Sequence, residues 1–133
     1  AIFEKALGKE HPDAATSLNN LAGLYNAQGK YAEAQPLYKR ALAISEKAFG
    51  AEHPLVGTSL NNLAGLYMKQ DKFAEAEPLY KRAMAILEKA LGAEHPTVAK
   101  SLNNLAELYR ATDRIKEAEE LDTRAARIRS IKR

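Results

Sequence analysis

The chain has 133 residues, 46% hydrophobic and 28% charged, with a formal net charge of +3 and no cysteine. That composition excludes a disordered or membrane-spanning chain, disulfide staples, thiolate catalysis and zinc–cysteine sites, and the mild positive charge falls short of a nucleic-acid footprint. Alanine and leucine supply about a third of the residues while valine occurs only at Val56 and Val98, so a sheet is disfavoured and an all-α fold is expected.

The opening residues, Ala1 to Gly8, align with Ala43 to Gly50 and read as the end of a second helix whose first helix is absent. Residues 1–10 are therefore expected to be the remnant of a preceding repeat, exposing Ile2, Phe3 and Leu7 as a surface for self-association. From there the chain repeats every 42 residues: His11-Pro12, His53-Pro54 and His95-Pro96, then Ser17 to Ala22, Ser59 to Ala64 and Ser101 to Ala106. The expected units are 11–52, 53–94 and 95–133, the first two identical at roughly three-quarters of positions and the third keeping about half.

Each unit reads as two helices. Proline at the first helical position suits the start of the first, and Leu18, Leu21, Ala22 and Tyr25 form one apolar stripe at helical spacing. Gly29 stops that helix in unit one, and Asp71 or Thr112-Asp113 is expected to cap the helix that follows in the later units. The second helix buries Tyr31, Ala34, Leu37, Tyr38, Ala41 and Ile44 and ends near Phe49-Gly50. Pro36 and Pro78 fall about two turns inside it and predict a mild kink or a late start. In unit three Asp122 replaces Tyr80, Arg127 replaces Ala85 and Arg129 replaces Leu87, a pattern expected of a polar, capping end at 95–133.

Leu18, Leu21, Ala22, Tyr25, Ala34, Tyr38 and Ala41 resemble the tetratricopeptide (TPR) signature, with leucine in place of its usual first tryptophan. The 42-residue period, the His-Pro pairs, Leu-Asn-Asn-Leu-Ala and the Tyr31 to Leu42 segment resemble the kinesin-light-chain type of that repeat. The resemblance implies an α-solenoid of stacked antiparallel helix pairs, a right-handed superhelix with first helices on the concave side. It also implies a protein-interaction role, since such grooves accept peptides with a tryptophan flanked by acidic residues. Repeats that clamp a C-terminal carboxylate need lysine where Asn19 and Asn61 stand, asparagine at Gly23 or Gly65, and arginine at Asn104, so that subclass is not expected.

The concave candidates are Thr16, Asn19, Asn20 and Asn26 in unit one; Thr58, Asn61, Asn62, Met68 and Lys69 in unit two; and Lys100, Asn103, Asn104, Glu107 and Arg110 in unit three. An asparagine amide both donates and accepts, so repeated Asn-Asn pairs suit the main chain of an extended peptide. The alternative is that one asparagine of each pair bonds to the backbone of a neighbouring helix. Gly23 and Gly65 imply either close approach of a ligand backbone or crowded first helices. Lys69, Lys100 and Arg110 make the later units basic, suited to an acidic segment, the alternative being a solvated charged face.

No phosphate loop, nucleophile elbow or His-Glu metal motif occurs, so no catalytic residue, metal or cofactor is expected. The three histidines are one repeat apart, about 10 Å, too far to share a metal, and helix capping explains them better. The basic run Arg124, Arg127, Arg129, Lys132 and Arg133 reads as a solvated helix end rather than a nucleic-acid or membrane contact. A non-enzymatic, cytoplasmic scaffold binding a peptide is expected. The competing readings are a structural or self-assembly module without a peptide ligand, and an engineered array.

Overall fold

A computed structural model describes residues 12–131, among which there are six α-helices and no strand. They are α1 (Pro12–Ala27), α2 (Tyr31–Phe49), α3 (Pro54–Lys69), α4 (Phe73–Leu91), α5 (Pro96–Ala111) and α6 (Ile115–Arg129). Residues Ile2, Phe3 and Leu7, the histidine His11, and Lys132 and Arg133 lie outside the described residues.

The first helices start as the histidine-proline pairs predict. In α3 the Nδ1 of His53 accepts from the backbone N–H of Leu55 at 3.0 Å, and before α5 the Nδ1 of His95 accepts from Thr97 at 3.1 Å. Each imidazole thus satisfies one of the N–H groups that a helix start leaves unpaired, while Pro54 and Pro96 occupy positions where an N–H is not needed.

The ends of the first helices correct one expectation. Asp71 and Asp113 do not cap the helices that follow; they take the left-handed conformation, φ 59° and 62°, that Gly29 takes at 75°. The N–H groups of Lys30, Lys72 and Arg114 reach back to the carbonyls of Tyr25, Tyr67 and Tyr109 at 2.8–2.9 Å, closing a Schellman turn in every unit. The second helices start at Lys30, Lys72 and Arg114 with no side-chain cap. Glu33, Glu75 and Glu117 in their first turns complement the helix dipole instead. Nor do the prolines delay these helices: α2 and α4 begin five residues before Pro36 and Pro78. Both prolines are exposed, as are Ala32 and Ala74, whose carbonyls would have accepted the missing N–H, so water can take its place. Gly50 and Gly92, at φ 90° and 98° with extended ψ, end α2 and α4 in a conformation open to glycine alone.

Helices pair within each unit, and each second helix also packs on the next first helix: α2 on α3, α4 on α5. First helices touch one another, α1 with α3 and α3 with α5, whereas the backbones of the described second helices stay apart. The stack therefore curves, with α1, α3 and α5 on its inner face. Side chains link the second helices instead: Arg82–Glu46 and its counterpart one repeat on, Arg124–Glu88, each at 2.8 Å, and Arg114 at the start of α6, which bonds Glu77 of α4. One apolar core, from Ala22 and Tyr38 to Tyr109 and Ala118, runs through all three units. Leu60, Leu66, Leu102 and Leu108 are fully buried, each worth on the order of 2 kcal/mol.

Of the three polar replacements in α6, Arg129 stands where Leu87 is buried, but Arg127 replaces Ala85, which is exposed even with a repeat stacked after it. That substitution has no bearing on stacking. Because glycine carries no cost at a left-handed position, Asp71→Gly is expected to raise stability by up to ~1 kcal/mol. Thermal denaturation measures it; an unchanged or lower melting temperature would contradict the turn geometry.

Candidate functional site

The inner face is built by α1, α3 and α5, and the expected residues divide by depth. Thr16, Asn20, Thr58, Lys69, Lys100, Glu107 and Arg110 are exposed; Asn19, Asn26, Asn61, Asn62, Met68, Asn103 and Asn104 are half-buried. Two clefts gather some of them. Between α1 and α3, about 140 Å³ is lined by Thr16, Asn19 and Thr58 together with Ser45, Phe49 and Leu55. Between α3 and α5, a wider cleft of about 430 Å³ brings together Met68, Lys69 and Glu107 with Gly65, Phe73 and Tyr80. The other eight candidates border neither cleft.

The asparagines behave differently along the array. The amide oxygens of Asn19, Asn26 and Asn61 are buried without a hydrogen-bond partner. Asn103, equivalent to Asn19 and Asn61, instead donates from Nδ2 to Asp122 Oδ1 at 2.9 Å. No bond from these asparagines to the backbone of an adjacent helix occurs among the described residues, which removes the purely inter-repeat account of them.

Gly23 and Gly65 also find another neighbour. A Cβ built on either would lie 3.8 Å from the hydroxyl of Tyr38 or Tyr80, an ordinary contact. It is thus the paired second helix, rather than a neighbouring first helix, that approaches them. Unit three changes both partners together, with Glu107 for the glycine and Asp122 for the tyrosine. Burial, and secondarily the Glu107 carboxylate, raises the Tyr80 phenol to about 12, so it remains a protonated donor beside the wider cleft.

The charges are less available than their count suggests. Arg110 is ion-paired to Asp122, the same carboxylate that holds Asn103. Arg114 grips Glu77 with two nitrogens, one at 3.1 Å, while lying 4.3 Å from the Tyr109 ring centroid. Lys69 and Lys100 form no ion pair among the described residues, and Lys69 shares its cleft with Glu107 and Asp71. Sequence reasoning noted Asp122 as a substitution but not as the partner of Arg110; the signal was the joint change of positions 110 and 122 in unit three. Phe49, Leu55 and Ser45 were not anticipated at all.

The tetratricopeptide repeat family matches residues 1–47, 13–67 and 55–130. The chain belongs to the tetratricopeptide-repeat family. It is of the kinesin-light-chain type: it is similar to BtubC (BKLC) from P. vanneervenii, at 30% identity and TM-score 0.85, over 91% of this chain and 48% of that one. It is also similar to the nearly identical TPR-like repeats of a Podosopora anserina protein designated a kinesin light chain, at 33% identity and TM-score 0.81, over 90% and 57% of the respective chains. The TPR domain of Arabidopsis FLU shares the fold at 16% identity, with TM-score 0.75 over 90% of this chain and 98% of that one. The chain thus spans about half the length of the first two. No curated protein sequence matches it significantly. TPR arrays are generally protein–protein interaction modules and typically non-enzymatic scaffolds.

Among the described residues of this TPR array the most perturbed carboxyl belongs to Glu77, which the Arg114 guanidinium, helped by Lys81, holds near 2 against an ordinary 4.5. A lowered folded value means stability that is present above about 4.5 and lost as pH falls from there toward 2. Glu77→Gln is expected to lower the melting temperature at pH 7 and to converge on the parent across that acid window. Parallel melting curves at pH 7, 4.5 and 2.5 check it.

Proposed function

We propose that the chain is a non-enzymatic scaffold whose concave face, along α1, α3 and α5, holds an extended segment of a partner protein. The observation that carries this reading is the pair of unsatisfied amide oxygens on Asn19 and Asn61, at the same register of successive repeats. Leaving a buried polar group unpaired costs roughly 1–3 kcal/mol, and asparagine is also a poor helix former. Neither cost serves the fold. An extended main chain, alternating N–H and C=O groups, would satisfy such an amide once the half-buried side chain turns toward the groove. Unit three closes its own asparagine and arginine onto Asp122, which directs the peptide to units one and two. Lys69 and Lys100 favour an acidic segment, and a cytoplasmic setting belongs to the same proposal. No helix among the described residues is long and apolar enough to cross a membrane.

The test is a peptide-array panel of acidic, neutral and basic extended sequences, followed by calorimetry on Asn61→Leu and on the Asn19→Leu/Asn61→Leu pair. Both are expected to melt higher than the parent and to bind the selected peptides about three- to tenfold more weakly per asparagine. Raised stability with unchanged affinity would leave these asparagines without a ligand role.

One observation favours a second reading, a self-assembly module. Leu66 and Leu108 are fully buried in units preceded by a described second helix, whereas the equivalent Leu24 is 60% exposed. If that face is an assembly contact, Leu24→Lys is expected to reduce the sedimentation-derived mass at high concentration. A chain that is monomeric at all concentrations would remove this reading.

A further inference from the structure

The narrow cleft between α1 and α3 has an occupied counterpart one repeat along. There, between α3 and α5, the space is filled by Leu87, which is buried and packs on Val98, Ala99 and Leu102. Its Cγ comes within 3.0 Å of where a Cβ on Gly57 would be. At the equivalent position unit one has Ser45, also buried, facing a cleft that Ala15 and Asn19 line. The consequence is visible in the packing. Leu87 joins the second unit to the apolar cluster of the third, while the cluster of Leu18, Ala41 and Ile44 remains separate from that of Val56, Leu60 and Ile86. The cleft left behind, about 140 Å³, compares with a cavity of roughly 150 Å³ that accommodates benzene. At its rim stand Phe49 and Leu55, 38% and 47% exposed, two of the four large apolar side chains left exposed among the described residues.

We propose that this cleft is a specificity pocket for a leucine-like aliphatic side chain of the partner. The occupant is inferred from the chain's own Leu87, which fills the same space one repeat on. The partner's adjoining main-chain amide would meet the half-buried side chain of Asn19, which lines the same cleft. The proposal rests on the peptide-groove reading above and adds to it which residue class the first unit selects.

The probe is N-acetyl-leucine N-methylamide, which carries one leucine side chain between two peptide groups, with N-acetyl-alanine N-methylamide as control. In an NMR titration at millimolar concentration, the leucine compound is expected to give saturable shifts at Ala15, Asn19, Ser45, Phe49 and Leu55, and the alanine compound none. Ser45→Leu fills the cleft but crowds Ala15, so Ala15→Gly/Ser45→Leu, which copies the Gly57–Leu87 pair, is made alongside it. Loss of the shifts in whichever variant folds supports the pocket. Absence of saturable shifts in the parent chain, or their persistence in a filled variant, overturns it, and the parent titration decides alone if neither variant folds. Peptides from the array separate the two claims. If the filled variant binds them like the parent while Asn61→Leu weakens them, the groove stands and the pocket falls. If the leucine shifts are seen while Asn61→Leu leaves peptide binding unchanged, the pocket stands and the asparagine groove falls.

Discussion

Two helices cannot bury their apolar faces on each other alone, so α2 and α4 are each shared between their own first helix and the next. That sharing requires close crossing, and the residues at the crossings are alanines: Ala22, Ala34 and Ala41, with Ala64, Ala76, Ala83, Ala106, Ala118 and Ala125, all with no exposed surface. A larger side chain at any of them would push helix from helix and open the shared faces to water. The tyrosines Tyr38 and Tyr80 use the remaining room, laying their hydroxyls against Gly23 and Gly65. The alanine-rich composition is the trace of this one constraint.

Curvature follows from where the crossings are tightest. First helices touch and second-helix backbones do not, so side chains at the inner face are brought close across repeats while the outer face is joined by ion pairs such as Arg82–Glu46. Exposed pairs of that kind contribute only about 0–1 kcal/mol each. The array is thus held from its alanine crossings, and the inner face is the place where a narrow change in side chain alters what the surface can accept. The short turns help to fix this geometry, because the Schellman closures at Tyr25, Tyr67 and Tyr109 leave the chain little freedom between paired helices.

How much of this could be read from the sequence depends on whether a feature repeats. The helices, the proline starts, the histidine caps at His53 and His95 and the apolar stripes recur every 42 residues and were legible. What was misread depended on backbone geometry or on distant partners. Asp71 looks like a helix cap because aspartate often is one, yet the turn needs a residue at positive φ and aspartate tolerates it. Arg110 looked like part of a basic groove, because the register that places Asp122 beside it belongs to the packing of α5 on α6 rather than to either helix. The candidate asparagines were found by their repetition, but that two of them lack a partner while the third has one is a property of neighbours 19 residues away.

The pair at positions 15 and 45, with its counterparts, shows why near-identical repeats are not interchangeable. Unit one has Ala15 with Ser45, unit two Gly57 with Leu87, and unit three Ala99 with Arg129. In unit two the leucine side chain lies where an alanine Cβ at position 57 would need it to shift by a few tenths of an ångström, so the large residue and the missing one depend on each other. Exchanging only one member of such a pair produces overpacking or a void; exchanging both conserves the fit. Unit one departs from unit two at both positions together and is left with a cleft at its seam. In a stacked array the stability of each seam is a separate quantity, so a volume given up at one seam need not weaken the others. A cleft can therefore persist at the first seam while Leu87 keeps the second closed.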